Sequence, residues 1–294
     1  MIRPLTRRSA FSMIMAGIAG GPALAAASAD ALSRAAARIA AIEAREGCRF
    51  GVAVLDTGGG AALLYRADER FPMCSTFKLL AAAAVLARVE AGKERLDRII
   101  PYGPADLLEY APITKAHVGD GGMALGDLCA AAIDWSDNTA GNLILASVGG
   151  PDGLTAFLRA LGDATTRLDR AEPTLNTAIP GDPRDTTTPL AMALDVRKLA
   201  LGDGLSEASR ARLYDWLAND KVGDKRLRAG LPASWGVGDK TGSGDHGTAN
   251  TVAVLKPPGR APLAAAVFLT ESDKSMDARN AVHKEIGALI GETF

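Results

Sequence analysis

Between Asp30 and Glu46 the apolar residues Leu32, Ala35, Ala36, Ile39 and Ile42 recur at helical spacing, with Arg34, Arg38 and Glu43 between them, and Gly47 closes the run. That pattern predicts an amphipathic helix. The pattern then changes: Arg49 to Asp56 and Ala61 to Arg66 read as strands on either side of Thr57-Gly58-Gly59-Gly60, a hairpin signature. From Ser75 to about Glu90 the alanine-rich run is helical, and Gly92 supplies its stop. Further helical patterns cover residues 125–133, 140–147, 153–161, 189–199 and 206–219. Strand-like runs return at 234–243, 248–255 and 262–270, with Pro257-Pro258-Gly259-Arg260 turning between the last two, and residues 276–290 are helical again. Strands at both ends with helices between predict an α/β (α+β) fold, an antiparallel sheet of about five strands flanked by terminal helices. The expected domains are a sheet domain from 30–66 plus 220–294 and an inserted all-helical domain from 67–219.

Residues 1–29 stand apart. They hold Arg3, Arg7 and Arg8 but no acid, followed by an apolar stretch that Gly20, Gly21 and Pro22 interrupt, and Ala23-Leu24-Ala25 has the small residues of a cleavage site. A secretory signal peptide and a periplasmic location are therefore expected, with no membrane anchor. The pair Arg7-Arg8 is similar to a twin-arginine signal, although Phe11 sits one place later than that pattern prefers, so both export routes stay open.

Over the whole chain 33 Lys+Arg face 34 Asp+Glu, and removing the three arginines of the signal takes the formal charge from -1 to -4. A mildly acidic chain has no basic surplus for a polyanion, which argues against a nucleic-acid partner. The three cysteines, Cys48, Cys74 and Cys129, allow at most one pair, which excludes a disulfide scaffold. His117, His246 and His283 are never at ligand spacing, so no metal and no other cofactor is expected.

Four short motifs carry candidate chemistry. In Ser75-Thr76-Phe77-Lys78, i and i+3 share a helix face, so the Lys78 amine can reach the Ser75 hydroxyl near the positive end of the helix. Desolvation would favour a neutral, proton-accepting Lys78. Alone, the pair also fits a capping serine and a solvated lysine. Ser136-Asp137-Asn138, ahead of a helical run, reads equally as an N-cap and turn cluster. Lys240-Thr241-Gly242 sets a cation, a hydroxyl and then a residue without a side chain on a strand, a carboxylate-binding arrangement, but a plain strand end has the same look. Glu172-Pro173-Thr174-Leu175-Asn176 lies in a long loop from about Thr166 to Thr188 with Pro173, Pro180 and Pro183, and Pro189 just beyond. Such loops are functional or disordered, though an exposed Glu and a turn-capping Asn would also suit.

In this order and at these distances the four motifs resemble a class A serine β-lactamase, across essentially the whole mature chain and including Met276-Asp277-x-Arg279-Asn280. The resemblance implies a β-lactamase/transpeptidase-like fold and hydrolysis of the β-lactam ring of penicillins and cephalosporins, hence antibiotic resistance. Carried over residue by residue, it makes Ser75 the nucleophile, with Lys78 or Glu172 acting through water taking its proton. The backbone N–H groups of Ser75 and Ser243 would form the oxyanion hole. Ser136 would pass a proton to the leaving nitrogen with help from Lys240, and Glu172, assisted by Asn176, would activate the deacylating water. Asn138 would bind the acyl side chain, Tyr110 would form an aromatic wall, and Lys240, Thr241, Gly242 and Ser243 would hold the substrate carboxylate. The family's supporting arginine comes either from the region of Arg226 or from near the carboxyl end. Asn280 occupies the latter place, so Arg226 is expected. Asp137 would brace its own loop, and Arg170 and Asp185 would close the Glu172 loop. A monomer acting on a small-molecule β-lactam follows.

Two departures bear on disulfides. Where many members pair the cysteine matching Cys129, this chain has Ala82, and where some carbapenem-hydrolysing members pair the one matching Cys74, it has Gly244. Both bridges are expected to be absent, the second a small argument against a carbapenemase. The rival readings are a penicillin-binding D-alanyl-D-alanine peptidase or transpeptidase, which normally lacks the Glu172 and Asn176 water site, and a β-lactam-acylated sensor, for which a membrane tether would be expected. An α/β-hydrolase esterase would need a Gly-x-Ser-x-Gly elbow, which this chain lacks.

Overall fold

The two strands richest in small and branched apolar residues, Thr248–Lys256 and Leu263–Thr270, are buried along almost their whole length, because helices cover both faces of the sheet they centre. This is why they read as continuous apolar runs and not as an alternation. The computed structural model describes the backbone from residue 21 and the side chains from residue 29. The export signal expected over residues 1–29, with its arginine pair and cleavage site, therefore falls outside the described side chains, and residues 1–20 outside the described chain altogether.

Five strands form one antiparallel sheet: β1 (Arg49–Asp56), β2 (Ala62–Tyr65), β3 (Gly236–Gly244), β4 (Thr248–Lys256) and β5 (Leu263–Thr270), in the spatial order β2-β1-β5-β4-β3. The amino-terminal hairpin thus pairs with the carboxy-terminal meander through β1 and β5, with Val52 opposite Val267. One face is covered by α1 (Gly21–Glu46) and α8 (Met276–Thr293), which contribute Ile39 and Ile42, and Ile286 and Ile290, to a core with Val52, Val54 and Val267. On the other side lie α2 (Phe77–Glu90), α3 (Leu125–Asp134), α4 (Asn138–Ser147), α5 (Gly150–Leu161), α6 (Pro189–Val196) and α7 (Glu207–Ala218), with α6 and α7 directly against the sheet and the others stacked on one another behind, in a core that includes Phe268 and Val252 of the sheet.

Every residue of α2 from Phe77 to Leu86 is buried, so this helix runs through the middle of the helical layer and not over its surface. Its four consecutive alanines, Ala81 to Ala84, let neighbouring helices approach on all sides, which is where the alanine-rich composition has its effect. Burying α2 also draws Lys78, one turn after Ser75, out of solvent.

Several local expectations are corrected. Ser75 does not lie in the first turn of an α-helix: Cys74–Thr76 form a 3-10 turn that leads into α2. The helix expected over 189–199 ends at Val196 and gives way to a π turn at Arg197–Leu201. The loop from 166 to 188 has some regular structure, a 3-10 turn at Thr174–Thr177 and a two-residue strand, Thr186–Thr187, that pairs with Phe71–Pro72. Lys240, by contrast, sits within a strand as expected, in the middle of β3. Cys48, Cys74 and Cys129 are all free thiols. Among the described residues no helix is long and apolar enough to cross a membrane.

Candidate active site

The 3-10 turn places the Ser75 hydroxyl between a base and a cation. Ser75 Oγ donates to Glu172 Oε1 at 3.0 Å and accepts from Lys78 Nζ at 3.0 Å. Lys78 Nζ also donates to the Ser136 carbonyl at 2.8 Å and to Asn138 Oδ1 at 2.7 Å, and pairs with Glu172 Oε1 at 2.9 Å. The first, second and fourth sequence motifs therefore meet around one ammonium. Burial pushes the Lys78 pKa down, because a charged amine loses its hydration there, and the Glu172 carboxylate opposes that shift.

Glu172 is fixed from both sides. Its second carboxylate oxygen accepts from the Asn176 amide, four residues on. Its main chain is held by Asn142: Glu172 N donates to Asn142 Oδ1 at 2.9 Å, and Asn142 Nδ2 donates to the Glu172 carbonyl at 3.0 Å. Asn142 was not singled out in the sequence, although it stands four positions after Asn138 and so on the same face of α4. Removing it as Asn142→Ala forfeits two part-buried hydrogen bonds and should lower stability by roughly 1–3 kcal/mol, read as a lower midpoint in chemical denaturation. At the base of the loop Arg170 pairs with the buried Asp185. Asp185 Oδ1 also accepts the backbone N–H groups of Asp169 and Arg170, at 2.8 and 2.9 Å.

Ser136 has a positive φ of 56°, a conformation that turns its carbonyl toward Lys78. The strain is held by Asp137, whose buried carboxylate caps α4 through Ala140 N at 2.9 Å and accepts from Thr114 N at 2.9 Å and Ile113 N at 3.0 Å. Tyr110 is half exposed at the rim, tied in by its carbonyl, which accepts from Asn138 N at 3.0 Å.

The opposite wall is β3. A Cβ built on Gly242 would lie 2.8 Å from the Met73 carbonyl and 3.2 Å from Ser75 N, so only glycine lets the strand come this close to Ser75. One at Gly244 would lie 2.6 Å from the Asn176 carbonyl and 2.7 Å from Cys74 Sγ. Asn250 on β4 anchors the Ser75 turn by donating to the carbonyls of Pro72 at 2.8 Å and Met73 at 3.1 Å. Arg226, nine-tenths buried, crosses behind β3. It donates to the carbonyls of Gly242 at 2.8 Å and Asn250 at 2.9 Å, to Ser243 Oγ at 2.6 Å and to Asn280 Oδ1 at 3.0 Å. Among the described residues it has no carboxylate partner within 4.0 Å, and its pKa is pushed down to about 10 by burial and then by Arg279. That leaves an unneutralised cation behind the exposed Ser243 hydroxyl.

Lys240 is wholly buried, with Nζ donating to the Thr241 carbonyl at 2.9 Å. Burial lowers its pKa, while Asp220 acts to raise it. Asp220 and Asp239, both buried, sit over Gly223, and Arg228 Nε donates to Asp239 Oδ1 at 3.0 Å. Nothing in the sequence marked this acidic support, which comes from residues brought together only by the β3 packing. His283 is a core residue held neutral, its pKa pushed down to about 3 by burial. Among the described residues no group of three or more His, Cys, Asp or Glu is placed to hold a metal.

A serine between a lysine and a glutamate, cradled by a helical layer and one edge of an antiparallel sheet, defines a serine acyl-transfer enzyme. The profile of the β-lactamase enzyme family matches residues 34–294. The chain belongs to that family, and within it to the class A serine β-lactamases. It is 55% identical over 257 residues to β-lactamase CTX-M-8 of Citrobacter amalonaticus, covering 87% of this chain and 88% of that protein. It is 52% identical to β-lactamase Toho-1 of Escherichia coli over the same shares of the two chains. A solved structure of the ancestral (GNCA) class A β-lactamase superposes with a TM-score of 0.87 at 63% identity, covering 88% of this chain and all of that one.

Proposed function

We propose that this protein hydrolyses the β-lactam ring of penicillins and cephalosporins through an acyl-enzyme on Ser75, and so confers resistance to them. The observation that carries this reading is the Ser75 hydroxyl lying 3.0 Å from both Glu172 Oε1 and Lys78 Nζ in a buried setting. Ser75 Oγ attacks the lactam carbonyl as its proton passes to Glu172 or Lys78, and the carbonyl oxygen becomes an anion facing the N–H groups of Ser75 and Ser243, each worth about 3–4 kcal/mol in other hydrolases. The C–N bond then breaks, and the nitrogen leaves with a proton from the Ser136 hydroxyl, resupplied from the side of Lys240. In deacylation Glu172 takes a proton from water aligned by Asn176, the hydroxide attacks the ester, and Ser75 Oγ leaves and regains its proton.

Lys240, Thr241 and Ser243, with Arg226 behind them, hold the substrate carboxylate. Asn138 takes the acyl side chain and Tyr110 borders it. Arg226→Ala should raise KM for carboxylate-bearing β-lactams by about 10–100-fold, the loss of one charged hydrogen bond of roughly 1.5–3 kcal/mol, while kcat changes less. Steady-state kinetics on a penicillin checks this. The test of the overall reading is turnover of a chromogenic cephalosporin by the mature protein. A stable penicillin adduct with no hydrolysed product in wild type would instead identify a peptidase or a sensor. We also infer that the chain works as an exported monomer, residues 1–29 being its signal, with the site at the junction of the 67–219 segment and the sheet unit built from 30–66 and 220–294.

A further inference from the structure

Away from Ser75, a cavity of about 390 Å³ opens beside the base of the Glu172 loop, between the end of α5 and α6. Two carboxyl groups meet in its wall. Asp163, just after α5, accepts the backbone N–H groups of Thr165 at 2.6 Å and Thr166 at 3.1 Å through Oδ1, the bonds that turn the chain into the loop. Asp195, in the last turn of α6 and 4% exposed, lies within hydrogen-bonding reach of Asp163, and its Oδ2 has no donor. Both carboxylates are acceptors only, so such a contact holds when one of them keeps its proton. We propose that Asp163 and Asp195 share one proton in a carboxylic acid–carboxylate hydrogen bond that clasps the start of the Glu172 loop onto α6, and that Asp195 is thereby a positioning residue for that loop.

The surroundings decide which member holds the proton. Asp163 is served by two backbone donors and stays ionised, its pKa lowered despite burial. Asp195 has neither, and its Oδ2 is left buried without a donor. Burial first and Asp163 second push its pKa up to about 9. The charged groups around the pair are Asp68 before the nucleophile turn, Arg159 on α5, and Arg197 and Lys198 after α6. None of the cations comes within 4.0 Å of either carboxylate among the described residues: Arg159 spends its guanidinium on the carbonyls of Asp163 at 2.6 Å and Thr166 at 2.7 Å. The clasp continues into the loop through Thr166 Oγ1 and Thr187 Oγ1, 2.7 Å apart.

The sign follows from linkage. Unfolded, Asp195 loses its proton near pH 3.9, whereas folded it keeps it to about pH 9, so the native state binds one more proton across that window. The clasp's contribution is complete below the lower value and is lost as pH rises, by up to tenfold in the folding equilibrium constant per pH unit. In Asp195→Asn the amide donates to Asp163 at every pH. Its denaturation midpoint should therefore stay level from pH 5 to 9 relative to a falling wild type, and parallel curves would overturn the proposal. Should that variant not fold, Asp195→Thr supplies a hydroxyl donor for the same comparison. Carbon-13 NMR of the side-chain carboxyls in the wild-type protein decides independently: a resonance assigned to Asp195 should titrate near pH 9, and titration near 4 would refute the shared proton. The consequence for turnover rests on the reading of Glu172 given above. Wild-type kcat for a penicillin should fall on the alkaline side where that of Asp195→Asn does not, with KM little changed. The two substrate-free measurements stand whatever the role of Glu172.

Discussion

Ser75→Ala should abolish hydrolysis of penicillins and cephalosporins, with kcat falling on the order of 10⁴-fold or more, as happens when the nucleophile of a serine hydrolase is removed. The loss is large because the covalent step is gone, and among the described residues no other hydroxyl shares the position between Lys78 Nζ and Glu172 Oε1. The fold should survive. Lys78 keeps its bonds to the Ser136 carbonyl and Asn138 Oδ1 and its ion pair with Glu172, so no buried charge is stranded. Stopped-flow assays with a chromogenic cephalosporin, alongside a denaturation midpoint unchanged within about 1 kcal/mol, would separate lost chemistry from lost structure.

Glu172→Ala should instead divide the reaction. Acylation continues, because the Lys78 amine remains 3.0 Å from Ser75 Oγ, and deacylation stops, because Asn176 has lost the carboxylate it aligns with water. A single burst of product would be followed by an adduct heavier than the protein by the mass of the intact antibiotic, visible by mass spectrometry. A variant that showed no burst would assign the Ser75 proton to Glu172 alone. The same change works on Lys78. With the main opponent of its desolvation removed, its pKa falls further below the ordinary lysine value of about 10.4. The unfolded chain then binds a proton that the folded variant lacks, so stability relative to wild type rises with pH toward that value. A midpoint difference that did not rise with pH on approach to the ordinary lysine value would contradict this account of Lys78.

Local pattern was enough for most of the elements. The hairpin around Thr57 to Gly60, the carboxy-terminal strands and the helices from α3 to α8 all carry their own periodicity or turn chemistry, and each was placed to within a few residues. The turn at Cys74–Thr76 was not, because Ser75 continues an apolar helical pattern. The reason it departs lies in β3 and β4, where Gly242 approaches and Asn250 donates to Met73 and Pro72. The break of α6 into a π turn after Val196 is likewise invisible in a run that stays apolar throughout.

The sequence by itself singled out the candidate site residues and their order, since Ser75, Lys78, Ser136, Asn138, Glu172, Asn176 and Lys240 to Ser243 stand in motifs whose spacing is local. What only the tertiary structure decided is how those motifs are supported. Asn142 behind Glu172, Asp220 behind Lys240, Arg226 across the back of β3 and Asp195 against Asp163 act over separations that no periodicity encodes. The physical reason is burial. Whether a carboxylate is a solvated surface charge or keeps its proton, and whether an arginine is idle or an unneutralised cation behind a site, is set by which groups the folded chain removes from water together, and that is a property of packing and not of any single segment.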